Sequence, residues 1–188
     1  MIRLITGTLR GRKLEVPPSK ITRPTTDRVR ESIFNLLESY LAKKERSFEG
    51  VLVLDAFAGS GALGFEALSR GAKHITFFEP APDALKVLQH NAAHLKLQIS
   101  QIKIQRVDAT KPSKSKVPAD LIFLDPPYGK GLLGYAYKAL ERAGWCGPET
   151  LFICETSDQE TLPEFLQDVV IIQRTYGSTV VSLIEWQT

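Results

Sequence analysis

The stretch Ala119 to Gly129, ADLIFLDPPYG, sets the terms on which this chain can fold. Leu121 to Leu124 is an unbroken apolar run, the pattern of a strand buried on both faces. Pro126 and Pro127 follow almost at once. Neither has an N–H to donate to a ladder, so the strand cannot continue through them. The chain must leave its sheet here, carrying a carboxylate (Asp125), a rigid turn and an aromatic ring (Tyr128) at the strand's C-terminal end. In open parallel sheets that edge is where ligands bind. Asp-Pro alone reads as a stiffened turn; Asp-Pro-Pro-Tyr after a buried strand is far more specific.

The same pattern recurs upstream. Val51 to Leu54 ends in Asp55, His74 to Phe78 in Glu79, and Ile102 to Val107 in Asp108. Helical stretches lie between or after these runs, from the Gly-rich segment to Gly71, from Pro82 to Leu97 and around Leu132 to Arg142. Thr150 to Cys154 reads as a further strand, Leu162 to Leu166 as a short helix, and Val169–Arg174 with Thr179–Trp186 as a closing hairpin about Gly177. Lys111 to Pro118 is a polar loop. Alternating strand and helix predicts an α/β fold, a mainly parallel sheet with helices on both faces.

Before this body comes an extension, so the spacing divides the chain into residues 1–47 and residues 48–188. Residues 2–16 predict a short hairpin, with Gly7 and Gly11 allowing tight turns. The segment Thr22 to Asp27 then reads as a helix start. Val29, Ile33, Phe34, Leu36, Leu37 and Tyr40 form its packing face, and Arg28 and Arg30 its polar face. The overall charge of +3 conceals an asymmetry: residues 1–30 carry +6 and the remainder −3. A basic arm on an acidic body suits a polyanionic partner, and it also suits an ordinary solvated N-terminus.

A chain of 188 residues that is 43% hydrophobic can bury one full core. No apolar run approaches the length of a membrane span, and no secretory signal opens the chain. Cys146 and Cys154 have neither metal nor redox spacing, which suits a reducing cytoplasm. His90 and His94 sit four apart, but no third ligand or neighbouring acid completes a site. No metal is expected.

Methyl transfer to the exocyclic amino group of a nucleobase is the chemistry that wants Asp-Pro-Pro-Tyr. That nitrogen is a weak nucleophile, because its lone pair is delocalised into the ring. A carboxylate from Asp125 and the Pro126 carbonyl, accepting its two N–H bonds, favour pyramidalisation and the charge that develops during attack. Pro127 stiffens the turn, and Tyr128 can stack on the base. Residues 59–64 match G-x-G-x-x-G, with Glu79 twenty positions beyond Gly59, which is also the dinucleotide fingerprint. Asp55 argues against a pyrophosphate and for the ammonium group of a methionyl ligand. Glu79 suits ribose hydroxyls, Asp108 an adenine amino group, and the small residues near Gly59, Ser60 and Gly61 a closely approaching flat ligand.

Together, Asp55-Ala-Phe-Ala-Gly-Ser-Gly61 and Asp125-Pro-Pro-Tyr128 resemble the S-adenosylmethionine-dependent amino-methyltransferases of Rossmann-like, class I fold. The opening RLITGTLRGRKLEVPP and TRPTTDRVRESIFNLL resemble the bacterial 16S rRNA guanine-N2 methyltransferases of RsmD type, over nearly the whole chain. The resemblance implies a seven-stranded sheet with its last strand reversed and a small N-terminal hairpin and helix. It implies S-adenosylmethionine as cofactor, held by Asp55, Phe57, Gly59, Ser60, Gly61, Glu79, Asp108, Ala109, Thr25 and Arg28. Asp125, Pro126, Pro127 and Tyr128 are the expected catalytic group. Arg10, Arg12, Lys13, Arg23 and Arg30 are the expected RNA contacts. The expected partner is 16S rRNA or the small ribosomal particle, met by a cytoplasmic monomer. Three other readings stand beside it: an adenine-N6 DNA methyltransferase, a nicotinamide oxidoreductase and a non-catalytic RNA-binding module.

Overall fold

Two strands of two residues each, β1 (Ile2–Arg3) and β2 (Lys13–Leu14), pair antiparallel at the start of the chain. Gly7 and Gly11 take positive φ in the turn between them. The computed structural model describes residues 1–18 and 27–187. α1 (Asp27–Lys43) buries Val29, Arg30, Ile33, Phe34, Leu37 and Leu41. Its apolar side chains contribute about 1.5–3 kcal/mol apiece by leaving water. Arg30 corrects the polar-face expectation: it is fully buried, while Arg28 is exposed. The reason is periodicity, since position 30 lies one turn before Phe34 and two before Leu37.

The body alternates as expected: β3 (Leu52–Asp55), α2 (Ala62–Ser69), β4 (His74–Phe78), α3 (Pro82–Leu95), β5 (Ile102–Gln105) and β6 (Leu121–Leu124). There follow α4 (Leu132–Arg142), β7 (Leu151–Ser157), α5 (Glu164–Gln167), β8 (Val170–Tyr176) and β9 (Thr179–Glu185). Seven strands form one sheet in the order β5-β4-β3-β6-β7-β9-β8. The first five in that order are parallel, and β9 runs antiparallel to both β7 and β8. The reversed last strand is therefore as the resemblance implied. β7 outruns its expected end at Cys154, because antiparallel pairing continues through Glu155↔Val181, Thr156↔Val180 and Ser157↔Thr179.

Strand residues alternate between two cores. Val53, Phe77, Leu121, Phe123, Ile153, Val181 and Leu183 face the helices α1, α2 and α3. Leu54, Phe78, Ile122, Leu124, Phe152, Cys154 and Ile184 face α4 and α5. The hairpin's Leu4 and Leu14 belong to the first core, so the extension is packed on the body rather than tethered to it.

The return from β5 to β6 is a loop, as its polar sequence suggested. Ala109 and Ala119 pack into the second core, where Phe78 and Trp145 meet edge-on at 5.2 Å. The indole N–H of Trp145 donates to Ser113 O at 2.7 Å, and Ser115 N–H to Ala143 O at 2.8 Å. These bonds fix a segment that has no helix to satisfy its backbone.

Candidate active site

The ends of the central strands gather the acids. Asp55 follows Val53 by two positions, Glu79 follows Phe77, and Asp125 follows Phe123. All three stand at the C-terminal edges of the neighbouring strands β3, β4 and β6, close enough that the charges of Asp125 and Glu79 act on Asp55.

Asp55 is 2% exposed, and its carboxylate accepts the Gly64 N–H at 3.2 Å. Burial pushes its pKa up to about 7; the negative charges of Asp125 and Glu79 add to this, while the N–H groups of Gly64 and Phe57 oppose it. Among the described residues, no Lys or Arg forms an ion pair with Asp55 or Glu79. Such a group of acids suits a cationic ligand.

Glu79 is almost buried, and both of its oxygens hold backbone: Oε2 accepts from Gly59 N at 2.8 Å, and Oε1 from Ala81 N at 2.8 Å. It thus joins the glycine loop to the start of α3. Each oxygen keeps a second lone pair for a ligand hydroxyl. The loop itself closes through Gly61 N–H to Ala58 O at 2.6 Å, and Ala58 N–H to Phe78 O at 3.0 Å. Gly61 has φ +83°, and a Cβ there would stand 2.5 Å from both Leu88 and Phe65. Gly64 serves close helix–strand packing, since its Cβ would meet Phe77 at 2.3 Å. Gly59 and Ser60 are half-buried, and Phe57 packs at the edge of the second core. Asp108 is exposed, with Oδ1 accepting the Thr110 N–H and hydroxyl at 2.8 Å each, and Ala109 beside it is buried.

At the end of β6, Asp125 is half-buried, Pro126 buried, Pro127 half-buried and Tyr128 40% exposed. The Tyr128 hydroxyl lies 3.4 Å from Thr179 Oγ1. Partial burial raises its pKa; the Thr179 contact opposes this, and Asp125, Glu155 and Glu160 reinforce it. Glu160 clamps the turn: Oε1 accepts Gly129 N–H at 2.5 Å, while Oε2 accepts Ser157 N–H at 3.2 Å and its hydroxyl at 3.1 Å. Its pKa falls because those three bonds outweigh the effect of burial. Glu155 is buried and lies level with Asp125, because Leu124 pairs with Cys154. A cleft beside the turn is lined by Pro126, Pro127, Tyr128, Glu155 and Glu160. Sequence reasoning missed both glutamates. Glu155 repeats the strand-then-acid pattern and was findable; Glu160 carries no such signal.

Arg10 and Lys13 are exposed on the hairpin, as an RNA-facing role requires. Arg12 is half-buried, and its Nη2 donates to His94 O at 2.7 Å, so part of its role is to dock the arm on α3. Arg30 cannot meet RNA: its buried guanidinium donates to Arg3 O and to Asp27 Oδ1, the latter at 3.0 Å. Thr25 and Arg23 lie outside the described residues. Beside His90 there is, after all, an acid: Glu15 Oε1 lies 3.5 Å from Nε2. Among the described residues, no group of three or more His, Cys, Asp or Glu is placed to hold a metal ion. Nor is any helix among them long and apolar enough to cross a membrane.

A Rossmann-like sheet with its last strand reversed, a glycine turn backed by acids and Asp-Pro-Pro-Tyr at the next strand end together define a class I methyltransferase. Comparison with known proteins supports that class. The family described as Conserved hypothetical protein 95 matches residues 2–185. The Ribosomal RNA small subunit methyltransferase D of Haemophilus influenzae is 39% identical over 164 residues, 86% of this chain and 81% of that protein. The solved structure of the Escherichia coli methyltransferase yhhF has a TM-score of 0.82 at 36% identity, covering 99% of this chain and 98% of that one. A Thermus thermophilus 16S rRNA N2 methyltransferase, solved with AdoMet and guanosine, shares the fold. Its TM-score is 0.68 at 19% identity, covering 95% of this chain and 46% of that one. The chain belongs to the small-subunit rRNA methyltransferase D family.

Proposed function

We propose that this chain methylates the exocyclic N2 amino group of a guanine in 16S rRNA, using S-adenosylmethionine. The observation that carries the reading is the Asp-Pro-Pro-Tyr turn ending the central strand β6, next to an acid-backed glycine loop on β3. The residues present fit the cofactor. Asp55, buried among acids, suits the methionyl ammonium group; Glu79 and Asp108 suit the ribose and the adenine. Thr25 and Arg28 are proposed over the methionine end. When bound, S-adenosylmethionine supplies a methyl group activated by its sulfonium.

The chain's own part is to make the amine reactive. Asp125 accepts one N–H of the base and the Pro126 carbonyl accepts the other, so the nitrogen lone pair is turned out of the ring plane as attack begins. Tyr128 stacks on the base, and Glu160 keeps the turn from drifting. The guanine amino group is concealed in a paired helix, so the base is taken from a loop or flipped out. Arg10 and Lys13, on the 1–47 extension, hold the surrounding phosphates while residues 48–188 carry the chemistry. The protein works as a monomer in the cytoplasm, on 16S rRNA or the small ribosomal particle.

Methylation of adenine N6 remains the second reading, because Asp-Pro-Pro-Tyr handles either amine. Incubation with methyl-labelled S-adenosylmethionine and 16S rRNA, or with assembled small subunits, separates the two. Labelled N2-methylguanosine in the nucleoside digest is expected. Labelled N6-methyladenosine overturns the base assignment, and no transfer to either substrate overturns the activity.

A further inference from the structure

Asn91 joins the N-terminal arm to the glycine loop. It sits on α3, is 1% exposed, and spends its whole amide on main chain. Its Oδ1 accepts the Glu15 N–H at 2.9 Å, and its Nδ2 donates to Glu15 O at 3.0 Å and to Ser60 O at 2.9 Å. The first two bonds imitate a β-bridge to residue 15. The third holds the carbonyl that lies between Gly59 and Gly61.

The rest of the arm reinforces this link. Ile5 and Thr6 N–H donate to Glu66 at 2.7 and 3.0 Å, and Leu9 N–H to Ser69 Oγ at 2.9 Å, all on α2. Arg12 docks on the end of α3 through His94 O. One hairpin thus grips both helices that leave the proposed cofactor cradle: α2 begins directly after Gly61, and α3 begins at Pro82, three residues after Glu79. Among these contacts, Asn91 alone touches the arm and the loop with the same group.

We propose that Asn91 is a positioning residue through which arm and loop order one another, so that RNA and S-adenosylmethionine bind with positive cooperativity. The inference rests on the proposed function above. A ligand that stills the loop removes freedom from Glu15, and a second ligand on the arm then has less freedom to remove. Linkage makes the effect reciprocal.

Titration of S-adenosylmethionine with and without a 16S rRNA transcript measures it. RNA should tighten cofactor binding by about fivefold or more in the wild type. In Asn91→Ala the factor should fall close to one. His90→Ala, which removes a contact to the Glu15 side chain and the stacking on His94 but leaves all three Asn91 bonds in place, should keep the wild-type factor. A test that needs no variant is hydrogen exchange on the wild type: S-adenosylmethionine alone should slow exchange of the Glu15 amide together with the loop at 56–61. Binding with no effect of RNA, coupling unchanged in Asn91→Ala, or loop protection without Glu15 protection each overturns the inference. No cofactor binding at all overturns the functional reading with it.

Discussion

Replacing Asp55 with Asn should stabilise the ligand-free protein and weaken its hold on S-adenosylmethionine. The carboxylate is 2% exposed, and burial carries its pKa from 3.8 to about 7. A raised folded-state pKa means that the protonated acid is the form the fold favours. That favourable contribution is complete below the unfolded value near 3.8 and is lost as pH rises through about 7. The gap of about three pH units corresponds to at most about 4 kcal/mol of destabilisation in neutral and alkaline solution. An asparagine side chain still offers an oxygen to the Gly64 N–H, and it carries no charge to bury. Urea unfolding between pH 5 and pH 8 should therefore show the Asp55→Asn variant gaining on the wild type as pH rises, by up to about 3 kcal/mol over that range. The same substitution removes the proposed partner of the cofactor's ammonium. Isothermal titration at pH 8 should show affinity reduced about tenfold or more, the loss of a charge-assisted bond. In the wild type, cofactor affinity should rise with pH up to about 7, because Asp55 must ionise to serve. A variant that loses stability equally at every pH and binds the cofactor as before would show that Asp55 neither strains the fold by its charge nor holds the ammonium.

Asp125→Ala should depress kcat steeply and leave S-adenosylmethionine affinity nearly intact, because its acceptor matters once the amine carries charge; single-turnover methylation checks this. Replacing Arg10 and Lys13 together by Ala should weaken RNA binding and flatten its salt dependence by about 0.7–0.9 in log–log slope per lost phosphate contact, with cofactor affinity unchanged. Arg12 is left out of that pair because it also docks the arm. Gly64→Ala should cost about 1–3 kcal/mol in urea unfolding, since its Cβ would stand 2.3 Å from the Phe77 ring in a packed core.

The parts of the fold written as buried runs were readable without coordinates. β4, β6 and α4 have the bounds their apolar patterns predicted, and the acids that follow β3, β4 and β6 gather close enough for Asp125 and Glu79 to act on the Asp55 charge. Arg30 shows where reading by residue type fails. Charge alone sends a guanidinium to solvent, yet the spacing of position 30 to Phe34 and Leu37 puts it inside. The end of β7 was set by a partner, β9, whose register no local pattern displays. Glu66, Asn91 and Glu160 were invisible for a related reason: each satisfies the backbone of a distant segment, and such pairing exists only once the chain has folded.

If, as proposed, this chain methylates a guanine amino nitrogen of 16S rRNA, that modification should depend on it in the cell. Nucleoside mass spectrometry of 16S rRNA from cells lacking the protein tests it most directly. N2-methylguanosine should fall in those cells and be restored by the wild-type chain but not by Asp125→Ala. An unchanged N2-methylguanosine content, or restoration by Asp125→Ala, would contradict the proposal.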